Sequence, residues 1–149
     1  MGVIVDSCVW VALGAGDLDP QRVIDATGEE PIFLSAITLG ELSFGVEVCT
    51  DPSQRAALRA SFLRQLESRP TLAVTRRTAA AFGVLAASMK RSGRPPRPRY
   101  NDLWLAAQAI ESGYALLTSN PKDFTRLPGL RVLALGREKG GRGRKGEGG

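Results

Sequence analysis

The chain has 149 residues, 43% of them hydrophobic and 23% charged, the size and make-up of one globular domain around a single core. Its 20 basic and 15 acidic side chains leave a net charge of +5. The histidine count is zero, which excludes Ser-His-Asp and Cys-His catalysis, paired-histidine ribonuclease chemistry and zinc sites built on imidazole. Any acid, base or metal ligand must therefore be a carboxylate, amide, hydroxyl or backbone group.

Val3-Ile4-Val5 is a β-branched run of the fully buried kind, ended abruptly by Asp6, so a first strand is expected with an aspartate at its C-terminal end. The apolar stretch Val3 to Leu13 has no basic segment ahead of it and carries Asp6, so a secretory signal is not expected and the cytoplasm is the expected location. No apolar run approaches the roughly 20 residues that span a bilayer, and no membrane partner is expected. Ser7 to Leu13 reads as a short helix. Asp19-Pro20 pairs an N-cap with proline at the first helical position and opens a second helix to about Thr27. Ile32 to Leu34 is a second strand. Ile37 to Val48 reads as a helix with Thr38, Glu41, Leu42 and Gly45 on one stripe. Asp51-Pro52 repeats the cap signal before a helix to about Glu67, whose Leu58, Phe62 and Leu66 recur every four residues and should face a core.

Leu72 to Val74 is a third strand, and Thr75 caps a helix carrying Phe82, Leu85 and Met89 that stops near Ser92-Gly93. After a basic, proline-rich stretch, helix 101–112 has Leu103, Ala106, Ala107 and Ile110 on its inner stripe and ends at Gly113. Ala115 to Thr118 makes a fourth strand, Asn120-Pro121 opens one helical turn, and Leu130 to Leu135 is a last strand. Residues 1–136 form one domain of alternating strands and helices. The expected fold is α/β, with a central, mostly parallel sheet of about five strands and helices on both faces. Residues 137–149 hold 6 of the 17 glycines and no large apolar residue, and are expected to be a disordered basic tail. Cys8 and Cys49 are too few for a disulfide framework, and both are expected to be reduced.

Four acids fall where such a chain exposes them on one rim. Asp6 follows the first strand, Glu41 lies in the helix after the second, Asp102 is in the first turn of a helix, and Asp123 follows the fourth strand by a short turn. Each also has a plainer reading: Asp102 as an acid favoured by the helix dipole, Glu41 as helix decoration, Asp123 as a partner of Lys122 or Arg126. Asp6 is hardest to read plainly, because a carboxylate ending a buried strand needs a cation, donors or a metal. Carboxylates that converge repel one another unless a cation sits among them, and a hard divalent ion, Mg²⁺ or Mn²⁺, suits an all-oxygen set. The matching chemistry is phosphodiester hydrolysis. A haloacid-dehalogenase-type phosphatase would need a second aspartate where Cys8 stands, and a receiver domain would need one after the third strand, where Val74-Thr75 offers none.

The phrases Val5-Asp6-Ser7, Ser35-Ala36-Ile37-Thr38-Leu39-Gly40-Glu41-Leu42, Asn101-Asp102-Leu103-Trp104-Leu105-Ala106-Ala107 and Leu117-Thr118-Ser119-Asn120-Pro121-Lys122-Asp123-Phe124 resemble those of the PIN-domain ribonucleases, especially the VapC toxins of type II toxin-antitoxin pairs. The resemblance runs from about Val3 to Val132, with four motifs in order. It implies a PIN-like three-layer fold and a metal-dependent endoribonuclease using Mg²⁺ or Mn²⁺. The family's first three acids match Asp6, Glu41 and Asp102. Asp6 and Asp102 would be the principal metal ligands, with Glu41 and Asp123 holding metal-bound waters or a second ion. At the fourth motif the chain departs from the pattern, with Asn120 where many members have aspartate. Asn120 can offer an amide oxygen to the metal or simply cap the turn before Pro121, and Asp123 can restore the missing charge. Ser7 and Thr118 have hydroxyls near the acids that can orient a carboxylate or water, or bond local backbone. The products would carry 5′-phosphate and 3′-hydroxyl ends.

Lys90, Arg91, Arg94, Arg97 and Arg99 surround Pro95, Pro96 and Pro98 in a stretch without an acid, immediately before Asp102. Prolines are expected to hold it extended, with Arg94, Arg97 and Arg99 placed to track RNA phosphates; a solvated loop is the alternative. Trp104 is expected in a helix interface and Cys8 as a small packed side chain. The resemblance further implies a homodimer and a VapB-type antitoxin whose C-terminal segment covers the acidic cleft. A PIN-like module that binds RNA or protein without cleaving is the alternative function, prompted by Asn120.

Overall fold

The computed structural model describes residues 1–136; the expected basic tail lies outside the described residues. The elements are β1 (Val3–Val5), α1 (Ser7–Ala15), α2 (Pro20–Thr27), β2 (Ile32–Ser35), α3 (Ala36–Glu47), α4 (Pro52–Leu66), β3 (Thr71–Leu72), α5 (Arg76–Arg91), α6 (Tyr100–Ser112), β4 (Ala115–Thr118) and β5 (Val132–Ala134). Short 3₁₀ turns cover Arg97–Arg99 and Pro121–Phe124. The five strands form one sheet in the order β3-β2-β1-β4-β5, and every pairing is parallel.

Alternation along β1 decides which face each residue covers. Val3 and Val5 join Val9, Trp10, Leu18, Val23 and Leu66 on the face covered by α1 to α4. Ile4 joins Leu85, Met89, Leu103 and Ala106 on the face covered by α5 and α6. The result is the expected three-layer α/β arrangement. Trp10 keeps its indole N–H satisfied inside the first core by donating to the Val5 carbonyl at 3.1 Å. Phe82 stacks on Trp104 with ring centroids 4.0 Å apart, so Trp104 does belong to a helix interface.

The helix starts follow the capping chemistry of the sequence. Asp19 accepts from the Gln21 N–H, Asp51 from Ser53 and Gln54, and Thr75 and Thr78 form a reciprocal capping box, each such cap contributing about 1 kcal/mol. Gly113 ends α6 with φ of 69°, a left-handed conformation that a side chain would strain. No helix among the described residues is long and apolar enough to cross a membrane.

Three expectations fail locally. Leu58 is 43% exposed, because only Phe62 and Leu66 of α4 reach the core while Leu58 faces a groove. The third strand stops at Leu72: it is an edge strand paired only with β2, and Thr75 is already committed to capping α5. The proline-rich stretch is not extended. Pro96 lies in the helical region at φ −77° and ψ −27°, and Arg99 N–H donates to the Pro96 carbonyl at 2.9 Å, because proline's fixed φ suits a helical turn as well as an extended chain.

Strand order reverses between β1 and β4. From β1 the chain progresses outward to β2 and β3, whereas β4 and β5 lie on its other side. In a sheet of this kind a crevice opens beyond the C-terminal strand ends at that point, which is where Asp6 and Thr118 stand.

Candidate active site

Asp6 occupies the crevice because β1 ends there and α1 begins at the next residue. It is 7% exposed, and its compensation comes from donors rather than from a basic side chain. Oδ1 accepts from the Ser7 N–H at 2.7 Å, so Asp6 N-caps α1; Oδ2 accepts from the Thr118 hydroxyl at 2.8 Å and faces the Cys8 thiol at 3.4 Å. Asp6 is thus both the cap of α1 and a member of the acidic group. Its backbone N–H donates to the Leu117 carbonyl at 2.9 Å, which holds the aspartate against the neighbouring strand.

Glu41 comes to the same place from α3. The Ser7 hydroxyl spans the two acids, 3.4 Å from Asp6 Oδ1 and 3.5 Å from Glu41 Oε2. Burial pushes the Glu41 carboxyl above its ordinary value, the negative charges of Asp6 and Asp102 push it further, and the Ser7 hydroxyl opposes them. Asp102 is likewise raised, first by burial, then by the charges of Asp123 and Asp6, with Arg99 pulling the other way. The structure thus brings Asp6, Glu41, Asp102 and Asp123 within electrostatic reach on one rim. A buried polar link positions the two helices involved. Ser35, the N-cap of α3, hydrogen-bonds the Gln108 side-chain oxygen in α6, and Gln108 also donates to the Leu72 carbonyl at 3.1 Å.

Other expected residues divide. Thr118 also accepts the Asn120 N–H at 3.0 Å, shaping the turn out of β4. Asn120 stands at the cap position before Pro121 but makes no side-chain capping bond, so the plain cap reading fails. Asp123 pairs with Arg99 at 3.0 Å rather than with Lys122 or Arg126. Arg99 also reaches Asp102 at 3.4 Å. Arg94 reaches the end of the Pro121–Phe124 turn, with Nη1 3.4 Å from the Thr125 carbonyl, and Arg97 is exposed. Arg94 and Arg99 thus have separate protein partners, and Arg97 faces solvent.

Sequence reasoning missed the contact of Cys8 with Asp6, the Ser119 hydroxyl donating to the Cys8 sulfur at 3.0 Å, and the Ser35–Gln108 link. The Arg99–Asp102 pair was detectable, since residues three apart on a helical turn face each other.

The donor set suits a hard divalent ion: all four side chains offer carboxylate oxygens, and Glu41 and Asp102 are held above their ordinary values by burial and by neighbouring negative charge. Among the described residues no three Asp, Glu, Cys or His side chains form a ready-made cage. A hydrated Mg²⁺ does not need one, since it binds through one or two carboxylates and keeps several waters. The acids therefore fit such an ion with at most two direct protein ligands and the others acting through water.

A cavity of about 470 Å³ runs away from Glu41 and Ser7 between α1, α3 and α4, lined by Trp10, Val11, Leu42, Val46, Leu58 and Phe62.

Comparison with known proteins places the chain. It matches the family described as PIN domain over residues 3–130. It is 30% identical over 141 residues to "Ribonuclease VapC" of Rickettsia bellii, a match covering 91% of this chain and 97% of that one. It is 29% identical over 132 residues to "Ribonuclease VapC4" of Mycobacterium tuberculosis, covering 89% and 95%. Among solved structures, that of VapBC-1 from nontypeable Haemophilus influenzae superposes with a TM-score of 0.73 at 25% identity, over 91% of this chain and 98% of the other.

Proposed function

We propose, from the premise that this chain belongs to the PIN-domain family and to its VapC ribonucleases, that it is a metal-dependent endoribonuclease and the toxin of a toxin-antitoxin pair. The observation that carries the reading is the meeting of Asp6, Glu41 and Asp102 from three separate segments at the β1/β4 crevice, where the charges of Asp6 and Asp102 add to burial in raising Glu41 and the charge of Asp6 helps to raise Asp102. A bound Mg²⁺ or Mn²⁺ would supply polarisation of a phosphoryl oxygen and would acidify a water for attack on phosphorus.

The chain's own residues hold that chemistry in place. Asp6 and Asp102 would be the principal ligands of that ion. Thr118 and the Ser7 N–H fix the Asp6 carboxylate in one orientation, one donor to each oxygen. Glu41 and Asp123 would hold metal-bound water at the rim, and Asn120, in the turn out of β4, would offer an uncharged amide oxygen. Ser7 ties Glu41 to Asp6. Arg94 and Arg97 face the approaching RNA backbone from the rim that precedes α6.

The partners follow the same reading. A VapB-type antitoxin is the partner, because the structural neighbours include VapBC complexes and because the apolar groove starting at Glu41 offers a partner chain a path to the acids. A homodimer acting on RNA in the cytoplasm completes the proposal. The test is incubation of a generic RNA with the full chain and Mg²⁺ or Mn²⁺. Cleavage that is lost with EDTA and with Asp6→Ala supports the reading; RNA binding without product under every condition supports the non-cleaving module that Asn120 at the fourth motif would favour.

A further inference from the structure

Arg99 lies inside the acidic rim. Its Nη1 is 3.0 Å from Asp123 Oδ1 and 3.4 Å from Asp102 Oδ2, so one guanidinium nitrogen serves two carboxylates 21 positions apart in the chain. It is placed there by the backbone: Arg97–Arg99 form a 3₁₀ turn that runs directly into α6, and Arg99 takes the N-cap position without a side-chain cap bond. The deeper acids are served differently, Asp6 by hydroxyl and amide donors and Glu41 by the Ser7 hydroxyl. Arg99 is also 48% exposed, so its pairing is screened and readily exchanged. One positive charge cannot balance four carboxylates, and a divalent ion entering the same rim meets both the acids that attract it and a guanidinium that repels it.

We propose that Arg99 is a displaceable counter-cation, bridging Asp102 and Asp123 in the metal-free protein and competing with the divalent ion for them. This rests on the metal-dependent reading above and adds to it a residue that sets the metal concentration at which the site fills. By reciprocity, whatever Arg99 contributes to the metal-free fold it subtracts from metal affinity.

The test is titration of the metal-free full chain with Mn²⁺, read by the electron paramagnetic resonance signal of the free ion, for wild type, Arg99→Gln and Arg99→Lys. Arg99→Gln is expected to bind Mn²⁺ about 3- to 10-fold more tightly, the scale of one unit charge removed from beside a divalent ion in a largely aqueous setting. Arg99→Lys keeps the charge but loses the fork and is expected to gain about twofold. In thermal melts Arg99→Gln should fall below wild type in EDTA and regain the difference at saturating Mn²⁺. An unchanged or weaker Mn²⁺ affinity in both variants overturns the counter-cation role, including the case where RNA binding alone weakens. Failure of all three proteins to bind Mn²⁺ overturns the metal reading itself and this proposal with it.

Discussion

Thr118 donates its hydroxyl to Asp6 Oδ2 at 2.8 Å across the β4–β1 boundary, linking residues 112 positions apart at the point where strand order reverses. The bond is fully buried on the Thr118 side, so Asp6 cannot replace it with water without opening the sheet end.

Thr118→Val keeps the shape and removes the donor. It is expected to cost about 1.5–3 kcal/mol of stability, the range for a buried hydrogen bond to a charged group, while Thr118→Ser costs less than half of that. Urea denaturation midpoints check it; equal losses for Val and Ser would mean that packing, not the hydroxyl, is what matters.

Gln108→Leu should destabilise the chain by about 1–3 kcal/mol, because it leaves the Ser35 hydroxyl and the Leu72 carbonyl without their buried partner. Denaturant melts give the magnitude. Since Ser35 caps the helix of Glu41 and Gln108 lies on the helix of Asp102, RNA cleavage by the still-folded variant should fall as well.

Ionisation of Glu41 should weaken the metal-free fold. A carboxyl raised in the folded state contributes stability below its ordinary value of 4.5 and loses that contribution as pH rises through the folded value. Glu41→Gln mimics the protonated form at every pH. Its melting temperature relative to wild type, in EDTA, should therefore be higher at pH 7 than at pH 4 by about 1–3 °C. A difference independent of pH would contradict this.

The glycines at 113 and 83 should respond in opposite directions. Gly113→Ala places a side chain at φ 69° and should cost about 1 kcal/mol, whereas Gly83 lies within α5 with open space around it and Gly83→Ala should gain about 0.5–1 kcal/mol. Thermal melts of the two variants decide it.

Arg97→Gln should lower RNA affinity more at low salt than at high salt, with the slope of log affinity against log salt reduced by about 0.7 if one single-strand phosphate contact is lost. Fluorescence anisotropy on an Asp6→Asn background measures it without cleavage. An unaltered slope would show that Arg97 only faces solvent.

Much of this architecture was legible because it is local. The buried run before Asp6, the Asp-Pro helix starts at 19 and 51, the cap at Thr75 and the glycine after Ser112 all act within a few residues. Strand number and direction followed from the alternation of elements. What stayed hidden depends on tertiary partners. Leu58 obeys the helical period yet faces a groove, because period alone does not tell how far a neighbouring layer extends. The prolines before Arg99 suit two backbone states, and only the start of α6 selects the turn. The acids were legible as residue types; which oxygen meets Ser7, Thr118 or Arg99 was not, since those contacts join distant segments.

The central position of β1 in the sheet has a consequence for the newly made protein. Asp6 precedes Thr118 by 112 positions, so the strand that fixes it, together with the Thr118 hydroxyl, is synthesised more than a hundred residues after it. A nascent or prematurely terminated chain ending before β4 holds three of its carboxylates with no crevice to gather them. On the ribonuclease reading, the site becomes competent to cut RNA only once translation of the domain is nearly done.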